Sequence, residues 1–262
     1  MHADRTEAYL RRIGVERPDS PSAHALQVLH AAHLRHVPFE NLSIHLGEEI
    51  VLTDEALVTK VVEARRGGFC YELNGAFAAL LTSLGFEAAL LQGRVYGEAG
   101  RPGIPFDHLA LRVRTEDGGD WLADVGFGAH SELPLRFDER GDQADPAGTF
   151  RLTEKESGDL DVLRDGSPQY LLDARPRALA DFAAGAWYHR TSPDSHFTRS
   201  LVCSILTGTG RVTLSGRKLT TTADGERDVT ELTSEAEVLA AYDRYFGITL
   251  EKEPFLNPLL PT

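Results

Sequence analysis

One of the two cysteines stands where a reactive thiol would be expected, at the start of a predicted helix and directly after two glycines. Cys70 follows Gly67 and Gly68 in the segment RRGGFCYELN. A thiolate in the first turn of a helix faces unpaired backbone N–H groups and the positive end of the helix dipole, and both stabilise its charge. Arg65 and Arg66 would add positive charge nearby. The segment therefore predicts a cysteine nucleophile, although a small buried thiol that opens a core helix fits the local pattern equally well.

A cysteine nucleophile needs a base, and the base needs a group that orients it. Among ten histidines, His108 follows the loop GRPGIPFD and begins the apolar segment HLALRV. Asp124 ends the segment WLADV, just before a Gly-Phe-Gly turn. Because residues at strand ends open onto a common rim, these two side chains could meet Cys70. The spacing is compatible with a Cys–His–Asp triad without establishing one, since many histidines and aspartates lie near strand ends.

The other cysteine and a histidine cluster favour structural roles. Cys203 has Leu, Val and Ile neighbours in sequence, which is typical of a core thiol. His30, His33 and His36 follow each other at three-residue steps, so on a helix the first and last point about 120° apart. Three such side chains cannot converge on one ion, and the chain has neither an HExxH motif nor a neighbouring thiolate pair. We therefore expect no metal site.

The elements that must position these residues begin with helices. Apolar residues at helical spacing predict helices over residues 6–13 and 22–36, the second ended by a proline. A Thr-Asp-Glu sequence opens a further short helix over residues 53–61. The apolar stripe after the glycine pair predicts a helix over residues 69–84, with Gly85 at the position of a C-terminal cap. Cys70 therefore lies in the first turn of this last helix.

Strands follow the helices. From residue 88 the chain shows short apolar or alternating segments separated by Gly, Pro and Asp, which predict strands. The segments are AALLQGRV, HLALRVRT, WLADVG, FRLTE, DVLR and QYLLDA, followed by the meander RVTLSGRKLTTTADGERDVTELT. Ser234 and Glu237 form a capping box for a final helix that ends before Gly247. Helices, then strands, then strands with a helix predict an α+β fold rather than alternating βαβ units.

Composition excludes several classes of protein. The 262 residues are 42% hydrophobic and 26% charged, as in ordinary globular proteins. A net charge of −13 disfavours nucleic-acid binding, because an acidic field repels phosphate backbones. The longest uncharged apolar run, residues 75–86, is too short to span a membrane, and the charged N-terminus is unlike a signal peptide. With two cysteines and no disulfide framework, we expect a cytoplasmic protein; nothing in the sequence indicates an oligomeric state.

Five segments together resemble the arylamine N-acetyltransferases. RRGGFCYELN resembles the nucleophile segment of that family, and VPFENLSIHL resembles the segment that runs past its active site. FDHLALRV and WLADVGFG match its histidine and aspartate strands, and SPDSHFTRSLVC resembles a later segment with a substrate-facing phenylalanine. The matches run in the family order from about residue 36 to residue 205. The last 55 or so residues carry no motif that we can match.

The resemblance implies a function and a triad. Cys70 would be the nucleophile, His108 the base and Asp124 the residue that orients it. Acetyl-CoA would be the co-substrate, without a metal, and an arylamine, arylhydrazine or N-hydroxyarylamine would accept the acetyl group. The reaction would be ping-pong, through an acetyl-Cys70 intermediate.

The resemblance also implies an architecture and a lining for the pocket. A helical bundle over residues 1–85 would carry the cysteine, a β-barrel over 86–187 the histidine and aspartate, and an α/β lid would follow over 188–262. This division agrees with the segmentation above. The remaining residues implied by the resemblance are Phe39, Phe127 and Phe197 at the substrate, Val95 and Gly126 along the pantetheine arm of CoA, and Glu40 paired with Arg66 or, alternatively, with Arg65.

Several alternatives stay open on the sequence. The same triad would serve an amide synthase of polyketide or macrolactam biosynthesis, or a cysteine hydrolase that uses water as the acceptor. A catalytically silent binding protein on the same fold is a third alternative. Asp107, directly before the expected base, departs from the family pattern; it would either perturb the pKa of His108 or face solvent.

Overall fold

Helices occupy most of the first third of the chain and strands follow, in a computed structural model that describes residues 1–97 and 100–256. The α-helices are α1 (Ala3–Ile13), α2 (Ala23–His36), α3 (Leu42–Leu46), α4 (Asp54–Val58), α5 (Cys70–Ser83), α6 (Ala183–Thr191), α7 (His196–Arg199) and α8 (Glu235–Ala241). The strands are β1 (Phe39–Glu40), β2 (Glu87–Val95), β3 (His108–Arg114), β4 (Asp120–Ala123), β5 (Leu135–Arg136), β6 (Gln143–Asp145), β7 (Gly148–Glu154), β8 (Leu160–Arg164), β9 (Ser167–Arg177), β10 (Val202–Leu206), β11 (Gly210–Ser215), β12 (Lys218–Ala223) and β13 (Glu226–Glu231). The predicted α+β class is confirmed.

Local capping chemistry explains where the helices of the first third begin and end. The hydroxyl of Ser22 accepts from the Ala25 N–H at the start of α2, and Thr53 caps α4 in the same way. The predicted helix over 53–61 is α4 continued by a π-helical turn, Thr59–Glu63. Helix α5 begins at Cys70 itself and is followed by Gly85 in the left-handed region, as the sequence predicts. The cysteine therefore occupies the first position of α5.

Eight strands form an antiparallel barrel that is closed through side chains at one seam. The order of strands is β5-β4-β3-β2-β9-β8-β7-β6, so β5 and β6 are the edges of the sheet. The amide of Gln143 on β6 accepts from the Arg136 N–H at 2.7 Å and donates to the Arg136 carbonyl at 3.0 Å on β5. One side chain thus replaces ladder hydrogen bonds between the edges, which leaves little exposed edge. The predicted barrel is confirmed.

Strand β3 divides its side chains between two cores, because successive residues of a strand point to opposite faces. Leu109, Leu111 and Val113 pack against the helices of the first third, in the cluster that contains Cys70. Ala110 packs into the barrel interior with Tyr170. His108, two residues before Ala110, shares the interior face, and it lies at the end of the barrel nearest to α5.

A second sheet connects the end of the chain to the nucleophile segment. Its order is β1-β10-β11-β12-β13, and α8 and the π-helical turn after it pack against this sheet. Strand β1 comes from the first third of the chain, which was expected to be helical, and it pairs with β10 while also bridging to Gly68. The predicted capping box of Ser234 and Glu237 opens α8. The division at residues 85/86 and 187/188 stays a prediction.

Within the part of the chain that the structure describes, none of the helices combines the length and the apolar character needed to cross a bilayer.

The barrel and α5 meet at a glycine that leaves no room for a side chain. A Cβ added at Gly126 would lie 2.7 Å from the Cys70 Cα and 2.7 Å from the Asn74 amide nitrogen. Gly126→Ala should therefore lower the free energy of unfolding by about 1–3 kcal/mol, measured by urea or thermal denaturation. Gly208→Ala is the matched control, because a Cβ there has nothing within 4 Å. Equal stability of the two variants would contradict this account of the interface.

Candidate active site

The loop before Cys70 is fixed by backbone contacts, so the thiol has a defined position. The Glu40 N–H donates to the Gly68 carbonyl at 2.9 Å, and a side chain at Gly67 would overlap the Pro38 carbonyl. Phe69 occupies the N-cap position of α5, and the Glu72 carboxylate accepts from its N–H at 3.3 Å. Cys70 is 4% exposed and lies at the wall of a cavity. The backbone thus holds the thiol at the positive end of α5.

A buried ion pair supports the same loop. The Glu40 carboxylate is fully buried, accepts from the Arg66 Nε at 3.0 Å and also from the Leu42 N–H at 2.6 Å. Burial would raise the pKa of Glu40, but Lys60 and Arg66 outweigh it and lower the pKa. Arg66 is therefore the partner, and Arg65 is exposed with a left-handed backbone.

The sequence-based expectation that Arg65 and Arg66 add charge at the thiol needs correction. Arg66 also pairs with Glu48 at 3.2 Å, so two carboxylates compensate its charge. Arg65 projects from an exposed position. The charges that face Cys70 come instead from α5 itself and from His108, whose pKa responds to the thiol.

His108 and Asp124 form a buried, hydrogen-bonded pair beside the thiol. The His108 Nε2 lies 2.7 Å from the Asp124 Oδ2, and the two side chains are 3% and 1% exposed. An ionised carboxylate only accepts, so Nε2 carries the proton of this bond. That leaves Nδ1 as the ring nitrogen that serves Cys70, which interacts with the His108 side chain. The three residues named from the sequence are brought together.

Each residue of the pair shifts the pKa of the other in the direction that favours the ion pair. Burial on its own would lower the pKa of His108, but the charge and hydrogen bond of Asp124, with the Cys70 thiol, raise it to about 10. Burial on its own would raise the pKa of Asp124, but His108 holds it well below its usual range. The arrangement therefore keeps a protonated imidazole next to the sulfur and an ionised carboxylate behind it.

Further residues that the sequence analysis missed hold Asp124 in place. The Asn74 amide donates to the Asp124 Oδ1 at 2.9 Å and to the Leu109 carbonyl at 2.6 Å, and its oxygen accepts from the Val125 N–H. The Gly126 N–H donates to the same Oδ1 at 3.0 Å. Asn74 is one helical turn after Cys70, so a polar residue at that spacing in an apolar helix was the available signal.

One of the three clustered histidines also acts on Asp124. The His30 Nδ1 lies 3.0 Å from the Glu132 carbonyl, so it donates there, and its Nε2 accepts from the Asp124 N–H at 3.2 Å. Burial lowers the pKa of His30, which favours the neutral form that this geometry requires. His33 instead bonds the Tyr9 hydroxyl, and His36 the Ala32 carbonyl. The three side chains therefore have separate partners.

Aromatic rings enclose the other side of His108. Phe127 packs edge-on against it with ring centroids 5.2 Å apart, and Tyr170 lies at 5.0 Å. His130 packs on both of these rings, and burial lowers its pKa to about 4. A neutral His130 leaves His108 as the charged imidazole in this cluster. The rings fix the orientation of the base and exclude water from it.

Cys70 and His108 line a cavity of about 770 Å³, and Asp124 lies behind His108. Its lining includes all of the phenylalanines and CoA-contact residues implied by the resemblance, namely Phe39, Phe127, Phe197, Val95 and Gly126. Phe39 and Phe197 lie side by side with ring centroids 6.1 Å apart. Farther along the wall are polar residues, namely His196, Arg199, Ser200, Thr213 and Ser215. A concave lining that combines aromatic rings with polar side chains is typical of a site for a small organic substrate.

Asp107 adopts neither of the two roles considered from the sequence. Its side chain is 13% exposed and lies 3.0 Å from the His189 Nε2, while its other oxygen accepts from the Val95 N–H at 2.9 Å. It does not face solvent, and the groups that shift the pKa of His108 are Asp124 and Cys70. Asp107 therefore binds the cavity wall instead.

The arrangement can perform nucleophilic acyl transfer. A thiolate at Cys70 would attack a carbonyl carbon, and His108 would move protons at its Nδ1 while Asp124 holds the ring. Backbone N–H groups at the start of α5 would be the available donors for the negative charge that develops on the carbonyl oxygen.

The chain is similar to acetyltransferases over most of its length. A family model described as N-acetyltransferase matches residues 22–255. An arylamine N-acetyltransferase of Mycolicibacterium smegmatis is 37% identical over 253 residues, which cover 92% of this chain and 91% of the relative. A relative from Salmonella typhimurium, named arylamine N-acetyltransferase / N-hydroxyarylamine O-acetyltransferase, is 36% identical over 220 residues, or 82% and 76% of the two chains. The solved arylamine N-acetyltransferase of Mycobacterium marinum in complex with CoA has a TM-score of 0.84 at 30% identity, with 93% and 92% covered.

The raised pKa of His108 predicts a pH dependence of stability. In a Cys70→Ala background, which removes the thiol from the titration, Asp124 still favours protonated His108. That contribution is fully present below the ordinary pKa of 6.5 and is lost as pH rises toward the folded-state value. The free energy of unfolding should therefore fall above pH 6.5 by about 1.4 kcal/mol per pH unit at most, in urea titrations at several pH values.

The control for this slope is the double variant Cys70→Ala/His108→Gln, in which the titrating imidazole is absent. Its free energy of unfolding should change less over the same interval. Parallel curves for the two proteins would mean that Asp124 does not stabilise a protonated His108.

Proposed function

The chain belongs to the arylamine N-acetyltransferase family, and on this basis we propose that it transfers an acetyl group from acetyl-CoA to arylamines, arylhydrazines or N-hydroxyarylamines through acetyl-Cys70. The observation that carries the proposal is the Cys70–His108–Asp124 arrangement at the wall of an aromatic cavity. An acyltransferase with this triad needs no metal. We place the reaction in the cytoplasm.

In the first half-reaction the Cys70 thiolate attacks the thioester carbonyl of acetyl-CoA. The bond between the carbonyl carbon and the CoA sulfur breaks, and the leaving thiolate takes the proton from the His108 Nδ1. Transfer of an acetyl group from one thiol to another is nearly balanced in energy, because one thioester replaces another. The acetyl group can therefore stay on the Cys70 sulfur until an acceptor enters. Asp124 stays ionised behind the imidazole throughout this step.

In the second half-reaction the amine nitrogen attacks the acetyl-cysteine carbonyl. His108, now neutral, takes a proton from the nitrogen, and the Cys70 sulfur leaves as a thiolate beside the reprotonated imidazole. The same acyl-enzyme would serve an N-hydroxyarylamine that attacks through oxygen, the activity named for the Salmonella relative. Phe39, Phe127 and Phe197 support a flat aromatic acceptor over water.

CoA fits the cavity in chemical character. Val95 and Gly126 supply an apolar passage next to the thiol, which suits a pantetheine arm. The polar residues farther along the wall include Arg199, a cation suited to anionic groups of CoA. The Mycobacterium marinum relative solved in complex with CoA supports this choice of donor.

Intact-protein mass spectrometry tests the proposal directly. After mixing with acetyl-CoA, the wild-type protein should gain one acetyl group, and Cys70→Ala should gain none. Cys203→Ala is the matched control, because Cys203 is buried in another core, and it should behave as wild type. Addition of 4-aminobenzoate or a hydrazine should remove the adduct and yield acetylated product.

The other outcomes separate the alternatives. Acetate release without an amine would identify a hydrolase. A folded protein that forms no adduct would point to an amide synthase with a larger acyl donor or to a silent binding protein, and would contradict acetyl transfer.

Asp124→Asn should reduce turnover by about 10³–10⁴-fold with little change of fold, because an amide no longer holds the ring in the required tautomer. Product formation from acetyl-CoA and an arylamine measures this. Asp120→Asn is a matched control at the first residue of β4, the strand that Asp124 directly follows: Asp120 pairs with Arg112 on the neighbouring strand. If Asp124→Asn turned over like Asp120→Asn, the role assigned to Asp124 would be wrong.

A further inference from the structure

The chain makes an unusual backbone corner directly before the catalytic base. Phe106 has a φ of 59°, in the left-handed region that residues with a Cβ rarely adopt. Two residues later His108 begins β3. Strained backbone of this kind persists only where surrounding contacts over-determine it. The contacts that hold the corner therefore also determine the backbone position of His108.

Hydrogen bonds from several elements meet at this corner. The Tyr71 hydroxyl, next to the nucleophile on α5, donates to the Phe106 carbonyl at 2.7 Å and to the Asp107 carbonyl at 3.0 Å. The Phe106 N–H donates to the Gln92 side chain on β2 at 2.9 Å. Gly185 on α6 packs so closely against the Phe106 carbonyl that a Cβ would overlap it. Helix, barrel and α6 all converge here.

The side-chain pair Asp107–His189 is the charged part of this corner. The His189 Nε2 lies 3.0 Å from the Asp107 Oδ1 and 3.2 Å from the Asp107 carbonyl oxygen, so one N–H serves both acceptors. The Asp107 Oδ2 accepts from the Val95 N–H at 2.9 Å. Both side chains are nearly buried, at 13% and 9% exposure. Asp107 therefore joins β2, β3 and α6 through one carboxylate.

His189 passes the connection on to the rest of the cavity wall. Its Nδ1 lies 3.1 Å from the Ser195 hydroxyl, and that oxygen accepts from the Phe197 N–H at the start of α7. The His189 ring packs against Phe197 at 5.2 Å and against Phe69 at 6.4 Å. The wall that faces the thiol is thus connected to the backbone of the base.

We propose that Asp107 and His189 are a positioning pair, which holds the corner before His108 and fixes the distance between that base and the wall formed by α6 and α7. The proposal rests on the proposed function, in which His108 activates Cys70. Neither residue touches the reacting atoms in this scheme. Their effect reaches the reaction through the alignment of His108 and Phe197.

A second catalytic triad is the competing interpretation, because Ser195, His189 and Asp107 are connected like Cys70, His108 and Asp124. The surroundings of the serine argue against it. Ser195 is 2% exposed, and its hydroxyl is already engaged at the start of α7. Any acetyl group should therefore be found on Cys70 and not on Ser195 in peptide maps.

Two substitutions of His189 give opposite rankings for a positioning hydrogen bond and for simple packing. His189→Gln keeps an N–H donor near the position of Nε2 but loses the ring. His189→Phe keeps a ring among Phe197, Phe69 and Tyr71 but has no donor. If the hydrogen bond to Asp107 positions His108, glutamine should function better than phenylalanine. If the ring only fills space, phenylalanine should function better than glutamine.

The readouts are the rate constant of acetylation at saturating acetyl-CoA and the pH profile of Cys70 alkylation by iodoacetamide. We expect acetylation by His189→Phe to fall about tenfold, and by His189→Gln about threefold or less, because small displacements of a base cost large factors in rate. The pH midpoint of alkylation should move upward in His189→Phe, since a misaligned imidazolium stabilises the thiolate less. Equal or reversed ranking, or an unmoved midpoint, would overturn the proposal.

Asp107→Asn on its own keeps the test decisive if the His189 variants fold poorly: acetylation should slow and the alkylation midpoint should rise, and wild-type values for both would overturn the proposal. An asparagine oxygen can still accept from the Val95 N–H, so this variant preserves that contact and weakens the bond to His189. In the asparagine background, His189→Phe should cost about threefold or less, because the pair acts as one unit. Additive losses would overturn the proposal.

Alkylation needs no acetyl donor, so the two proposals can fail separately. A wild-type protein that forms no acetyl adduct, but whose variants keep the expected alkylation order, would contradict acetyl transfer and not the positioning pair.

Discussion

The site depends on keeping one carboxylate ionised out of water. An unpaired buried charge costs at least several kcal/mol, so Asp124 is tolerable only because its oxygens are fully engaged. One oxygen accepts from His108 and the other from Asn74 and the Gly126 N–H. These partners come from three places: β3, α5 and the turn after β4. The solvation of one charge therefore forces helix and barrel into contact at the nucleophile.

Burial keeps the neighbouring histidines neutral, although the charge of Asp124 on its own would favour their protonation. His30 accepts a hydrogen bond from the Asp124 backbone, and His130 lies in the aromatic cluster around His108; burial lowers the pKa of both. A second protonated imidazole in this volume would compete with His108 for Asp124. The charges of ionised Asp124 and one imidazolium nearly cancel, and that imidazolium is the group beside the Cys70 sulfur that can stabilise a thiolate. Burial of the side chains therefore decides which histidines of the site are protonated as much as the triad does.

Sequence reasoning predicted the elements and the three central residues because their signals are local. The helix cap at Gly85 and the position of Cys70 at the start of α5 follow from neighbouring residues. His108 and Asp124 follow from strand ends that open on one rim. For His30 the local pattern argues only against a metal site; it does not predict the bond to Asp124, because that bond joins residues 94 positions apart. Residues 138–148 (DERGDQADPAG) predict a loop, yet they contain β6 with Gln143, which closes the barrel, and no periodicity marks such a contact.

The prediction that Arg66 adds uncompensated charge at the thiol is wrong for a related reason. The run Arg65-Arg66 beside Cys70 looks like an electropositive patch when only neighbours in sequence are considered. The Arg66 Nε donates a hydrogen bond to the carboxylate of Glu40, which is 26 positions away and fully buried. A buried carboxylate needs a cationic partner. Two basic residues next to a nucleophile in sequence are therefore a poor guide to the electrostatic potential at the thiol. The position of the cysteine at the first residue of a helix is a better guide, because the helix dipole acts on the thiol wherever the side chains around it pair.

Two histidine–carboxylate pairs border one cavity, and the partners of each ring decide what each can do. His108 gives one nitrogen to Asp124 and turns the other to a thiol, a group that can itself exchange a proton. His189 gives one nitrogen to Asp107 and the other to a serine hydroxyl that is bound at a helix start. A proton on the first ring has somewhere to go during a reaction, and a proton on the second has none. Similar dyads therefore divide into one that reacts and one that holds the first in place.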